Sequence, residues 1–161
     1  MGDVRGAETE PRWLTASEQR AWRAYLESSK ILFDALDRQL QREADMPHAY
    51  FEILVRLSET EGWALRMSEL AAQTGSSRSR LSHAVARLEE RGWVAREDCL
   101  TDRRGQIAKL TDAGYEVLRG AAPGHVGAVR NYLIEALDED QLGQLTIIGE
   151  AIIAKVSAGA A

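Results

Sequence analysis

Apolar side chains recur along this chain at spacings of three and four over long stretches, separated by short runs rich in serine, glycine and charge. The first stripe is Trp22, Tyr25, Ser29, Leu32, Phe33, Leu36 and Leu40; with Thr15 or Ser17 ahead of it as an N-cap, it predicts one long amphipathic helix from about Ala16 to Ala44. Pro47 suits the first turn of a second helix with Tyr50, Phe51, Leu54, Val55 and Leu57 on its inner side, and Gly62 in "TEGW" is expected to end it. Ser68 is expected to cap a short helix running out at Gly75, and Ser76 or Ser77 to cap another that reaches Arg91. Gly92 then stands where a left-handed C-cap is wanted, with Trp93 folding back on Leu88.

The period changes from 3.6 to 2 beyond that point. "WVARE" and "QIAKL" read as short strands of a hairpin whose loop is Asp98 to Gly105, and "WALR" at Trp63 to Arg66 offers a third strand. Thr111 caps a further helix, which Gly120, Pro123, Gly124 and Gly127 are expected to bend or break. A last helix begins near Asp138, with Leu142, Leu145, Ile148, Ile152 and Val156 along one side. The pattern predicts a mainly α protein with a small β-wing.

Two short helices joined by a Gly-containing turn of about three residues, with small Ala71 four residues before Gly75, have the spacing of a helix-turn-helix. If Leu81, Val85 and Leu88 form the buried stripe of the second helix, steps of 100° put Ser79, His83 and Ala86 on the opposite face. Arg80 and Arg87 lie on one shoulder and Ser82 on the other. That face is small, polar and basic, with nothing bulky to keep it out of a major groove. Serines at the helix start, Ser76 and Ser77, suit phosphate oxygens, an arginine can take guanine O6 and N7 together, and Arg78 beside them is a further DNA-binding candidate.

Charge sharpens this picture. The 161 residues carry a formal net charge of -5, yet the segment Arg66 to Lys109 is +3, so the remainder is -8. A basic middle between acidic flanks is the layout of a binding surface on a separate scaffold. No charged start followed by an apolar run resembles a signal peptide or a membrane span, so the expectation is a cytoplasmic protein with no membrane partner. Cys99 alone forms no internal bridge; a small half-buried thiol is expected there, and a redox-sensing thiol is the alternative. His48, His83 and His125 share no ligand spacing, so no metal is expected. The chain holds no Gly-rich phosphate loop, activated nucleophile or close-set carboxylate pair, so no enzyme and no cofactor are expected. A winged helix used for protein docking predicts an apolar or acidic outward face on the second helix, which Ser79, Arg80, His83 and Arg87 oppose.

Helix, helix, helix-turn-helix, a wing with "TDRRG", then "AKLTDAG" opening a long helix resembles the MarR family of winged-helix regulators over residues 16–158, most specifically in "RLEERGWV" and the wing run into "LTDAG". The resemblance implies a winged helix-turn-helix with N- and C-terminal dimerisation helices: a flexible arm over 1–15, a helical dimerisation region over 16–46 and 111–161, and the DNA-binding domain over 47–110. It matches the family's Asp-x-Arg wing pattern with Asp102 and Arg104, implying that Asp102 steadies Arg104 in the minor groove while Arg103 lies at the phosphates. It further implies a ligand-responsive repressor acting as a homodimer on a double-stranded DNA operator with an inverted repeat. The Leu142 to Val156 and Trp22 to Leu40 stripes offer more apolar side chain than a small winged helix can cover, which supports the dimer independently. The effector the family implies is a small aromatic or anionic molecule, with Trp22, Tyr25, His48, Phe51 and Trp63 as wall residues.

Overall fold

The computed structural model describes residues 11–98 and 105–159. Helix α1 spans Ala16–Ala44 and opens on a capping box: the Thr15 side chain accepts from the Glu18 amide while the Glu18 carboxylate accepts from the Thr15 amide. The Thr15 bonds hold the Glu18 carboxyl below its ordinary range. The helix ends where Asp45 turns left-handed, at φ 48°. Helix α2 spans His48–Ser58 behind Pro47 as its N-cap. It stops short of Gly62, which instead takes φ 70° inside a 3-10 turn over Glu61–Trp63. The expected terminator therefore shapes the next turn, not the helix end.

That turn leads straight into strand β1, Ala64–Arg66, and helix α3, Met67–Gln73. Because the strand runs directly into the helix, Arg66 occupies the N-cap and no side chain caps it, contrary to the expected role of Ser68. Gly75 at φ 59° closes α3 with the Ser76 amide bonded to the Ala71 carbonyl, and Ser77 caps α4, Arg78–Glu90, by accepting from the Arg80 amide at 3.3 Å. Gly92 at φ 73° repeats the closure for α4: the Trp93 amide donates to the Leu88 carbonyl at 2.9 Å. Strands β2, Val94–Asp98, and β3, Gln106–Leu110, pair antiparallel in the order β1-β3-β2, with Val94 opposite Leu110 and Arg96 opposite Ala108.

Helix α5, Asp112–Val129, runs unbroken through Gly120, Pro123, Gly124 and Gly127. The expected break lies further on, as a π turn at Arg130–Ile134, where the Glu135 amide reaches back to the Arg130 carbonyl. Packing against α1 explains both the continuity and one glycine: a Cβ on Gly124 would collide with the Glu43 carboxylate and lie 3.2 Å from Gln39 Nε2. Gly124 is thus a crossing point. Helix α6, Glu139–Ala158, begins on a second capping box made by Asp138 and Gln141.

Leu54, Leu57, Leu70, Leu81, Val85 and Leu88 are the centre of the core, joined by Leu40 and Met46 from the end of α1 and by Val94, Ala108 and Leu110 from the sheet. Burial of that many aliphatic side chains, each contributing about 1.5–3 kcal/mol, fixes the helix-turn-helix against the sheet. The remaining apolar surface is elsewhere. No residue of α6 is buried, and Trp22, Tyr25, Leu26, Ile31 and Phe33 along α1 are all exposed.

Candidate nucleic-acid interface

The core dictates which way α4 faces. Leu81, Val85 and Leu88 are essentially fully buried, which turns Arg78, Ser79, Arg80, His83 and Arg87 to solvent. Ser77 is exposed as well, although its hydroxyl is engaged as the cap; Ser76 and Ser82 are half-buried at the edges. Among the described residues neither the Arg78 nor the Arg80 guanidinium has an ion-pair partner. Arg87 differs: its Nη1 lies 2.7 Å from Glu90 Oε2, and this bond raises its already high pKa. Such an exposed pair is weak and exchangeable, so Arg87 keeps its charge for another partner.

A cleft of about 330 Å³ opens where the starts of α3 and α4 meet the base of the wing, lined by Arg66, Ser68, Arg78, Ser82 and Gln106 among others. Strands β2 and β3 lead out beside it. Asp102, Arg103 and Arg104, with Cys99, lie outside the described residues.

The five expected effector-wall residues fall in three places. His48 and Phe51 lie together on α2, joined by two side chains not expected there: Phe51 and His125 have ring centroids 4.4 Å apart, His48 and His125 5.4 Å, and Phe33 stands edge-on to His48 at 5.7 Å. A cavity of about 220 Å³ beside them is lined by His48, Phe51, Glu52, Val55, Arg56, Glu59 and His125. Burial lowers the His125 pKa and the neighbouring His48 adds to the effect; its Nδ1 is buried without a partner. Trp22 and Tyr25 stack on each other along exposed α1, and Trp63 stacks flat on Tyr115, 4.6 Å away at the core's edge. Neither pair lines the His48 cavity. The sequence weighed His125 as a metal ligand alone, because its place at this cavity is set by His48 and Phe51 on another helix.

Among the described residues no helix is long and apolar enough to cross a membrane, and no three His, Cys, Asp or Glu side chains converge as a metal site.

The arrangement of helix-turn-helix, three-stranded wing sheet and flanking helices has close relatives of known structure. Sco3205, a MarR family transcriptional regulator from Streptomyces coelicolor solved in complex with DNA, is 57% identical, with a TM-score of 0.85 over 89% of this chain and 90% of that one. This chain belongs to the MarR family. A sequence profile for that family matches residues 44–105, the segment that holds the helix-turn-helix and the wing strand β2. A second MarR regulator from Streptomyces coelicolor, AbsC, is 42% identical with a TM-score of 0.86, covering 92% of this chain and 99% of AbsC. The transcriptional repressor MprA of Escherichia coli K12 is 33% identical over 98 residues, 60% of this chain; the match spans just 56% of MprA's length. As a MarR protein, the chain has its expected fold class: mainly helical, with the small sheet carried as a wing.

Proposed function

We propose that this MarR protein is a sequence-specific transcriptional repressor that binds a double-stranded DNA inverted repeat as a homodimer and responds to a small aromatic or anionic effector. The observation that carries the reading is the outward face of α4. Arg78, Ser79, Arg80, His83 and Arg87 stand in solvent on a helix held from behind by fully buried Leu81, Val85 and Leu88. Two guanidiniums without an ion-pair partner among the described residues, with hydroxyls near a helix N-terminus, suit the bidentate base donors and phosphate donors that major-groove readout needs. The Sco3205 complex with DNA supports the same partner for this chain. In this reading Ser76, Ser77 and Ser82 face the backbone, Asp102 steadies Arg104 in the minor groove, and Arg103 meets the phosphates.

The bare apolar faces of α1 and α6 support the twofold partner, since Ile148, Ile152 and Val156 would otherwise stay in water. A twofold pair of recognition helices matches an inverted repeat with half-sites about one helical turn apart. The His48–His125 cavity supports the effector: its aromatic walls suit a ring, and Arg56 suits an anion. Selecting binding sites from randomised duplex DNA with the full chain tests the proposal. Enrichment of an inverted repeat, bound by two chains, is expected; recovery of unrelated sequences would reject specific recognition.

A further inference from the structure

Arg96 belongs to neither the outward face of α4 nor the core, yet it is among the most engaged charged side chains of the described residues. It lies on β2 two residues beyond Val94, so strand alternation points it to the same side, toward α4. Opposite it in the sheet is Ala108, fully buried and small enough to leave room for a guanidinium. Arg96 Nη2 donates to the Ser82 carbonyl at 3.0 Å, and its Nε lies 2.9 Å from Glu89 Oε2 as an ion pair, without the alignment of a hydrogen bond. The other Glu89 oxygen accepts from the Arg96 backbone amide at 3.1 Å. Ser82 and Glu89 are seven residues apart, so both sit on one side of α4 two turns from each other.

One guanidinium therefore spans two turns of the recognition helix, and one carboxylate holds both the side chain and the backbone of the strand that leads to the wing tip. The side chains of Arg96 and Glu89 are 22% and 33% exposed, which shields the pair from the screening that weakens the Arg87–Glu90 bridge. We propose that Arg96 and Glu89 are positioning residues that set the angle between the recognition helix and the wing, so that both meet their grooves in one docking step. The inference rests on the DNA-binding reading, but the clamp itself needs no DNA.

Glu89→Gln and Arg96→Gln in the full chain test it in two ways. In the free protein, amide hydrogen exchange of β2 and β3 should quicken about tenfold while α4 and α5 keep their protection, because local opening is freed without global unfolding. Unchanged exchange in the strands would overturn the clamp, whatever the protein does with DNA. On a selected operator, Glu89→Gln should weaken binding about tenfold, the scale of a coupling between neighbouring groups. Simple electrostatics demands the reverse, since a negative charge is lost near the phosphates. Tighter or equal binding by Glu89→Gln would overturn the positioning role. Should Arg96→Gln fail to fold, Glu89→Gln alone carries both measurements, and the charge-exchanged pair Glu89→Arg with Arg96→Glu should recover part of the strand protection. Absence of operator preference in the unmodified chain would reject the DNA reading, while the exchange measurement still decides whether the pair holds the wing.

Discussion

Gly114 and Gly120 are two glycines of the same helix for which the same substitution should have opposite effects. Alanine in a helix interior is favoured over glycine by about 1 kcal/mol, so a bare propensity argument has both variants stabilised. At Gly120 a Cβ meets nothing within 4 Å, and the full gain is expected. At Gly114 a Cβ would run into the Trp93 carbonyl oxygen and lie 2.8 Å from Leu110 Cδ1 and 2.9 Å from the Trp93 carbonyl carbon. The contact is largely with backbone, which has little freedom to move aside. That same carbonyl accepts from the Thr111 amide at 3.1 Å, so displacing it also loosens the junction between wing and α5. Overpacking costs about 1–3 kcal/mol and a weakened hydrogen bond about 1 kcal/mol, so Gly114→Ala should lose about 2 kcal/mol net. For a chain of this size that is a fall in melting temperature of about 4–8 °C, against a rise of about 2–4 °C for Gly120→Ala. Thermal melts at one fixed protein concentration measure both, since association would otherwise shift the midpoints. A Gly114→Ala protein as stable as the unmodified chain would refute the claim that glycine is there for the close approach of Trp93.

Three further outcomes are expected. Arg80→Ala should weaken binding to a selected operator by about 1–3 kcal/mol and relax preference at one position of each half-site; equal loss on random DNA would make Arg80 a phosphate contact. Replacing Ile148 and Ile152 by Glu should weaken self-association by about 4 kcal/mol, roughly a thousandfold, from about 1 kcal/mol of burial at each of four symmetry-related side chains, and sedimentation as an intact dimer would contradict this. Because burial favours the neutral His125 ring, its stabilising contribution is present above the ordinary pKa of 6.5 and is lost as pH falls below it. Urea midpoints should therefore decline from pH 7.5 to 5, and His125→Gln should flatten that slope; an unchanged slope would place the titration elsewhere.

What the sequence disclosed were the features that depend on neighbours along the chain. The caps made by Thr15, Ser77 and Thr111 and the closure at Gly92 reach no further than five residues, and the buried stripe Leu81, Val85, Leu88 follows from helical period alone. The misread features depend on partners far away. Gly124 reads as a helix breaker until α1 is laid across it, and Ser68 reads as a cap until β1 is seen to run straight into α3. Arg96, Glu89 and His125 carried no local signal, because each is defined by a side chain on another element. The alternation of Val94 with Arg96, matched to the seven-residue step from Ser82 to Glu89, is the pattern from which the clamp was legible in principle.

Helix α1 is bare at one end and embedded at the other. Twenty-nine residues without a break make a rod about 43 Å long. Leu36, Gln39 and Leu40 near its far end are gripped by the core, and the carbonyl of Asp45 just beyond accepts from Arg91 Nη1 at 2.7 Å, at the very end of the recognition helix. A stiff rod held this way is a lever: moving its free end sideways by about 4 Å turns the gripped end by about 5°. Whatever seats itself against Trp22, Tyr25 and Ile31 thus leans on the same rod whose gripped end is bonded to Arg91 at the close of α4.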